Sequence, residues 1–299
     1  MAVGGSDNGT DVKTYGIKYS GSKQKLIPYI IEEATKYKPT NVLDAFSGTT
    51  RVSQAFSMNG QNVISNDLSI WSSIFAKAFL HRRNDKEVQQ LIEYLNSLKP
   101  THGWFTENYG GERNESKKVW QIKNTKKLDA IREAIDTLDL SEVNKSIALT
   151  SLILALDKVD SSLGHFTSYL KEWSARSHND LSLEVPKYQG NDLDHTVTSV
   201  DALSSDFHSL KADLAYLDPP YGSNNEKMPP SRVRYASYYH LWTTIIKNDQ
   251  PVLFGAAGRR EDSHDAISVT PFEEFRRSPR NRYIALEAID KVISGVNSE

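Results

Sequence analysis

Over the first eighty residues, short apolar runs that end in acids alternate with stretches of helical spacing. Val42 and Leu43 lead into Asp44, and Val63 and Ile64 lead through Asn66 into Asp67. The first run is followed by Val52, Ala55 and Phe56 on one side of a helix, the second by Ile70, Ile74 and Ala78. Gly48 marks the first strand-to-helix turn and Gly60 stops the helix. Upstream, Leu26, Ile27, Ile30 and Ala34 share an apolar face. That spacing predicts a helix through about Ile31 to Ala34, capped by Ser22 and closed off by Pro39. Strand-helix alternation of this kind implies a parallel sheet covered by helices, an α/β core.

The pattern changes from His81 to Pro186. Val88, Leu91, Leu95 and Leu98 predict one helix, Leu128, Ile131, Ile135 and Leu138 a second, and Ile147 through Leu156 a third. The polar stretch Thr101 to Thr125, with Gly103, Gly110, Gly111, Trp104, Tyr109 and Trp120, is too long for a simple sheet connection. It reads as an irregular arm of an inserted, mostly helical module. Strand character returns at Thr196 to Ser199, followed by Asp201, and more strongly at Ala212 to Leu217. A loop expected to be mobile begins at Met228, and Tyr235, Tyr238, Tyr239 and Trp242 follow it. The predicted organisation is a flexible tail over 1–14, a core from 15–80 and 187–299, and a helical insertion over 81–186.

Composition narrows the chemistry. The 299 residues contain no cysteine, so disulfides, thiol nucleophiles and cysteine-ligated zinc are excluded. This removes cysteine attack on cytosine carbon 5 and cysteine-zinc deamination of bases. The eight histidines form no close ligand triplet, and no metal is inferred. No run approaches the ~20 apolar residues of a membrane span, and the polar N-terminus lacks a signal-peptide core. Net charge is −2, so a nucleic-acid partner would have to meet local patches. One lies between Arg113 and Lys127 and includes Lys117, Lys118 and Lys123. Others are Arg259 with Arg260, and Arg276, Arg277, Arg280 and Arg282. Each reads as phosphate-contacting or as ordinary solvated charge.

The most specific string is Asp218-Pro219-Pro220-Tyr221 after the apolar run ending at Leu217. A carboxylate and a proline carbonyl, its direction held by the ring, can accept both hydrogens of a planar amino group. That favours a more tetrahedral nitrogen with an available lone pair and stabilises positive charge developing there. Tyr221 can stack on an extruded base. Phe46-Ser47-Gly48 forms a turn in which backbone N–H groups can approach a ligand. The dinucleotide fingerprint is absent, so a cofactor lacking a pyrophosphate fits better. Asp44 can meet a cationic amino-acid end, and Asp67 can accept both hydroxyls of a ribose or cap the next helix. Asp201 can accept from a cofactor adenine or serve as an ordinary surface acid.

Lys18-Tyr19-Ser20-Gly21-Ser22-Lys23, Asp44-Ala45-Phe46-Ser47-Gly48-Thr49-Thr50, Asn66-Asp67 and Leu217-Asp218-Pro219-Pro220-Tyr221, in that order, resemble the D12 class of DNA N6-adenine methyltransferases, the Dam-like group. The resemblance spans about residues 16 to 246. It implies a Rossmann-like core, S-adenosylmethionine as methyl donor and a target-recognition domain inserted before the catalytic string. It also implies that Tyr19, Lys23, Phe46 and Gly48 line the cofactor pocket, that Asp67 holds the ribose, and that Asp218 and Tyr221 hold the adenine. The expected partner is double-stranded DNA, in a prokaryotic or phage-infected cytoplasm, with a cognate restriction endonuclease in the same system.

Two departures stand out. The family carries a second glycine two positions after the first, where this chain has Thr50. The family sheet has seven strands, yet after Tyr221 only Pro251 to Phe254 and Ala266 to Val269 are strand candidates, and Arg282 to Ile293 reads as helix. The C-terminal strands are therefore expected to be abbreviated, missing, or supplied by a second polypeptide. The alternatives to an adenine methyltransferase are a partner-dependent DNA-binding or assembly subunit of a split enzyme, and an N4-cytosine methyltransferase.

Overall fold

The computed structural model describes residues 12–112, 118–170, 172–220, 235–264, 270–274, 278–280 and 282–296. Helix α1 (Ile27–Thr35) leads to β1 (Asn41–Asp44), α2 (Arg51–Met58), β2 (Asn62–Asn66) and α3 (Ile70–Leu80). The insertion adds α4 (Asp85–Ser97), α5 (Trp104–Tyr109), the two-residue strands β3 (Gly110–Gly111) and β4 (Trp120–Gln121), α6 (Ile122–Thr137) and α7 (Glu142–Val159). The chain then returns through β5 (Thr196–Thr198), α8 (Ser205–His208), β6 (Leu214–Tyr216), α9 (Tyr235–Tyr238) and α10 (His240–Lys247). It ends with β7 (Leu253–Phe254), β8 (Arg259–Arg260) and α11 (Ile284–Gly295).

Four strands form the central sheet in the order β5-β2-β1-β6, all parallel. Alternation along the strands dictates its covering, because successive side chains face opposite sides. Val42 and Val63 pack against Val52 and Phe56 of α2 and Ala34 of α1. Leu43 and Ala45 pack on the other face with Phe207 of α8 and Ala288 and Val292 of α11. At the entry edge the Asp213 carboxylate accepts the backbone N–H groups of Thr40 and Asn41, each at 2.8 Å. This staples the start of β1 to that of β6.

A third apolar cluster joins the helices between α3 and β5 to α3 and α10. Trp71, Phe75 and Phe79 of α3 and Leu241, Trp242 and Ile245 of α10 share it with Val88, Leu95, Leu128, Ile131, Leu152 and Leu156. Arg132 of α6, buried, donates to the carbonyls of Ile245 and Ile246 at 2.6 and 2.9 Å, satisfying the open end of α10.

Three local expectations change. Ser22 does not cap α1: its N–H donates to Tyr19 O at 3.2 Å in a preceding turn, and the helix starts at Ile27 with Pro28 in its first turn. Proline is tolerated there because the N–H it lacks has no helical partner. The polar arm is also more regular than expected, since α5, β3 and β4 lie within it and the Asp129 carboxylate accepts the N–H groups of Gly103, Phe105 and Thr106. Leu253–Phe254 stays out of the central sheet, pairing antiparallel with β8 in its own hairpin. A tight turn with Gly255 and Gly258 at positive φ makes β8 its nearest partner. The other strand candidate, 266–269, lies outside the described residues, as does 1–11 of the expected tail; Thr14, at the tail's end, is buried and bonded to Gln24.

Candidate active site

At the carboxyl ends of the parallel strands lies a cavity of about 570 Å³. This is where ligands sit in open α/β sheets, because the strand-to-helix turns leave backbone and side chains projecting there. Its wall contains Tyr19, Lys23, Asp44, Phe46, Gly48, Asp67, Asp201, Asp218 and Pro219. These nine positions, spread along the chain from Tyr19 to Pro219, are brought together by the fold.

The turn after β1 has a specific construction. Ser47 N–H donates to Asn66 O at 2.8 Å, and Gly48 N–H donates to the Asp67 carboxylate at 2.9 Å. Gly48 has φ +48°, and a Cβ there would stand 3.6 Å from the Tyr19 ring. Backbone conformation rather than space therefore selects glycine. Thr50, two residues on, is also left-handed at φ +62° and fully buried. The position where the family carries glycine is thus held in a glycine-like conformation by a β-branched residue. Its Oγ1 accepts from Gln54 Nε2 at 3.0 Å.

The acids differ in their partners. Asp44 is fully buried; its Oδ2 accepts from Ser53 Oγ at 2.6 Å, while Oδ1 has no hydrogen-bond partner among the described residues. Burial pushes its carboxyl up to about 7, against the lowering effect of Ser53, and the nearby Asp218 and Asp67 charges add to the rise. A buried carboxylate oxygen without a partner, on a residue that lines the cavity, suits a cationic ligand group. Asp67 accepts from Gly48 N–H and, at 2.7 Å, from Ser69 N–H; burial raises its carboxyl despite both donors. It therefore braces the glycine turn and starts α3 at once. Asp201 is exposed and accepts from Leu203 N–H at 2.9 Å.

Asp218 forms an ion pair with Lys23 at 2.6 Å, and Lys23 also donates to Gly21 O at 2.8 Å. Lys23, expected to line a cofactor pocket, thus lies directly on the carboxylate of the Asp-Pro-Pro string. Tyr19 stacks on Tyr239 with ring centroids 4.8 Å apart and lies 5.7 Å from Trp71 and 5.5 Å from Tyr235. The Tyr239 hydroxyl accepts from Ser20 N–H at 2.7 Å, which fixes the segment carrying Lys23. Phe46 meets the cavity-lining Phe272 edge to face at 5.1 Å.

Of the other candidates, Arg260 also lines the cavity, whereas Arg259, Lys118 and Lys123 do not. Arg260 is buried and pairs with Asp249 and Asp262 at 2.8 and 2.5 Å, and Arg259 lies over the Phe254 ring and bonds Ser237 and Ser263. Lys123 pairs with Asp180 at 2.5 Å on the insertion surface, and Lys118 is half-buried at the start of the same arm. Tyr221, Lys117, Arg276 and Arg277 lie outside the described residues. Reading the string missed Trp71, Leu68 and Phe272, which also line the cavity. Leu68 and Trp71 follow a strand-end acid directly, a place that could have marked them.

Residues 19–274 match the family model described as D12 class N6 adenine-specific DNA methyltransferase. The chain is 31% identical over 259 residues to modification methylase StsI of Streptococcus sanguinis, covering 80% of this chain and 37% of that protein. It is 26% identical over 285 residues to type II methyltransferase M.NlaIII of Neisseria lactamica, covering 90% and 82%. Modification methylase LlaI of Lactococcus lactis subsp. lactis is 26% identical over 263 residues, covering 82% and 40%. The chain thus spans well under half the length of StsI and LlaI. No solved structure gives a significant match.

Proposed function

Because this chain belongs to the D12 class of N6 adenine-specific DNA methyltransferases, we propose that it methylates the exocyclic N6 of an adenine turned out of double-stranded DNA. The observation that carries the proposal is that Asp44, Asp67, Asp218 and Pro219, from three separate strand ends, line a single cavity. S-adenosylmethionine, when bound, supplies a methyl group activated by its sulfonium charge.

The residues present fit that donor. The open oxygen of Asp44 suits its cationic amino group, Asp67 its ribose hydroxyls and the apolar Leu68 one face of its adenine, with Asp201 accepting from the amino group of that ring. Tyr19, Phe46 and the N–H-lined turn at Gly48 complete the wall. On the DNA side, the Asp218 carboxylate and Pro219 carbonyl accept the two amino hydrogens of the target base and sharpen the nitrogen lone pair toward attack. Tyr221 stacks on that base. Lys23 orients the Asp218 carboxylate before the base arrives, and the amino group then shares or displaces that contact. Residues 81–186 act as the target-recognition module, with Lys117, Lys118, Lys123, Arg276 and Arg277 meeting phosphate. The modification methylases among its relatives suggest a cytoplasmic enzyme working beside a restriction endonuclease.

Transfer of labelled methyl from S-adenosylmethionine to duplex DNA, followed by nucleoside analysis, tests this. N6-methyladenine is the expected product. Asp218→Ala should keep cofactor affinity within about threefold while reducing turnover by roughly a hundredfold or more, since the carboxylate acts during attack. N4-methylcytosine as the product would transfer the proposal to the cytosine reading, and no DNA product would overturn it.

A further inference from the structure

The segment after α7 inverts the usual distribution of polarity. Asp160, Ser161 and Ser162 are 0, 0 and 3% exposed, whereas Leu163 is 65% exposed. Apolar side chains scattered singly over a surface are ordinary. A leucine held outward by three buried polar residues behind it is not, because the buried groups all had to find partners.

They did. The Asp160 carboxylate takes Lys18 Nζ at 2.7 Å and Arg176 at 2.8 Å, and also accepts from Ser162 Oγ. Ser161 N–H donates to Val119 O at 2.9 Å, and its Oγ accepts from Ser174 N–H at 3.0 Å. Gly164 N–H donates to Ser162 Oγ at 3.1 Å, and the chain turns there at φ +89°. Beyond the turn the His165 ring stacks on Tyr238 at 4.7 Å, and Phe166 N–H donates to Tyr238 O at 2.9 Å. A Cβ on Gly164 would stand 3.8 Å from Lys18 Cβ.

These contacts locate the loop. Lys18 precedes Tyr19, a wall of the cavity, and Tyr238 precedes Tyr239, on which Tyr19 stacks. Leu163 is therefore carried on a loop clamped to Lys18 and Tyr238, the chain neighbours of two residues of the aromatic cluster at the cavity. Turning a base out of a duplex costs unstacking energy and leaves a gap between its neighbours, which an apolar side chain can fill. We propose that Leu163 is the wedge that enters the duplex as the target base leaves the stack. The proposal rests on the reading of the cavity as an adenine site.

The test uses the full chain and two duplexes of the target sequence, one with 2-aminopurine in place of the target adenine to report extrusion and one with adenine itself to measure methyl transfer. Wild type should raise the 2-aminopurine fluorescence on binding. Leu163→Ala should remove most of that rise and lower kcat/KM on paired duplex by about tenfold, with S-adenosylmethionine affinity unchanged, whereas Leu163→Met should keep both. Placing the target opposite an abasic position, which makes extrusion cheap, should bring Leu163→Ala back to within about twofold of wild type. Leu163→Ala equal to wild type on paired duplex, or equally impaired on the abasic duplex, would overturn the wedge. Absence of both a fluorescence rise and adenine methylation in wild type would instead sink the adenine reading, and the wedge with it.

Discussion

Asp44 carries a charge decision that the rest of the site depends on. Its carboxyl is raised by burial from 3.8 to about 7, and its donor among the described residues is Ser53. Between those two values the folded chain keeps a proton that the unfolded chain has released. The ligand-free protein therefore holds this contribution below about pH 4 and loses it as pH rises through about 7. A cationic ligand at Asp44 reverses the preference, because it needs the carboxylate. Calorimetric affinity for S-adenosylmethionine should accordingly increase from about pH 5.5 to about 7, with a proton released on binding. Asp44→Asn should weaken binding and flatten that dependence; a wild-type affinity independent of pH would remove Asp44 from the cofactor site. The strand-end acids themselves were legible, because an acid closing an apolar run is a local pattern. The Lys23–Asp218 pair and the open Asp44 oxygen were not, since both follow from segments that meet only after folding.

Elements with strong periodicity were legible from the string, and short ones were not. The helices predicted on Val88 to Leu98, Leu128 to Leu138 and Ile147 to Leu156 all form, with Leu98 and Leu138 falling at the C-caps of the first two. α5 and the β3–β4 pair went unseen because six and two residues hold too little pattern, and the start of α5 is held by Asp129 reaching across from α6. Arg132 is the other long-range device on α6. An arginine on a helix spaced for burial would be placed on the solvent face, yet it is buried and closes the carbonyl end of α10. Arg132→Leu should leave two buried carbonyls without donors and cost roughly 2–4 kcal/mol. Urea denaturation with an unchanged slope and a lower midpoint would show it. A loss of less than about 0.5 kcal/mol would mean water replaces the guanidinium.

At the scale of the whole molecule, the insertion and the catalytic sheet are joined by a common apolar cluster running from Phe75 and Phe79 to Leu128 and Leu152. Residues 81–186 expressed alone should therefore lack a closed core and show no cooperative thermal transition, whereas a sharp transition would mark them as an independent domain. The change of periodicity after His81 was legible; the apolar cluster shared across it was not, because periodicity reports a buried face without naming what covers it. The sheet has a further consequence in time. β1 pairs with β2 nearby in the chain but with β6 some 170 residues later, where Val42 faces Leu214. Closing so long a loop makes that pairing a late event in folding. On a ribosome the wall built from Asp44 and Asp67 emerges first, and Asp218 follows roughly 10–30 s afterwards. For that interval the nascent chain holds half a cavity beside an unpaired strand edge, open to mispairing with a neighbouring nascent copy.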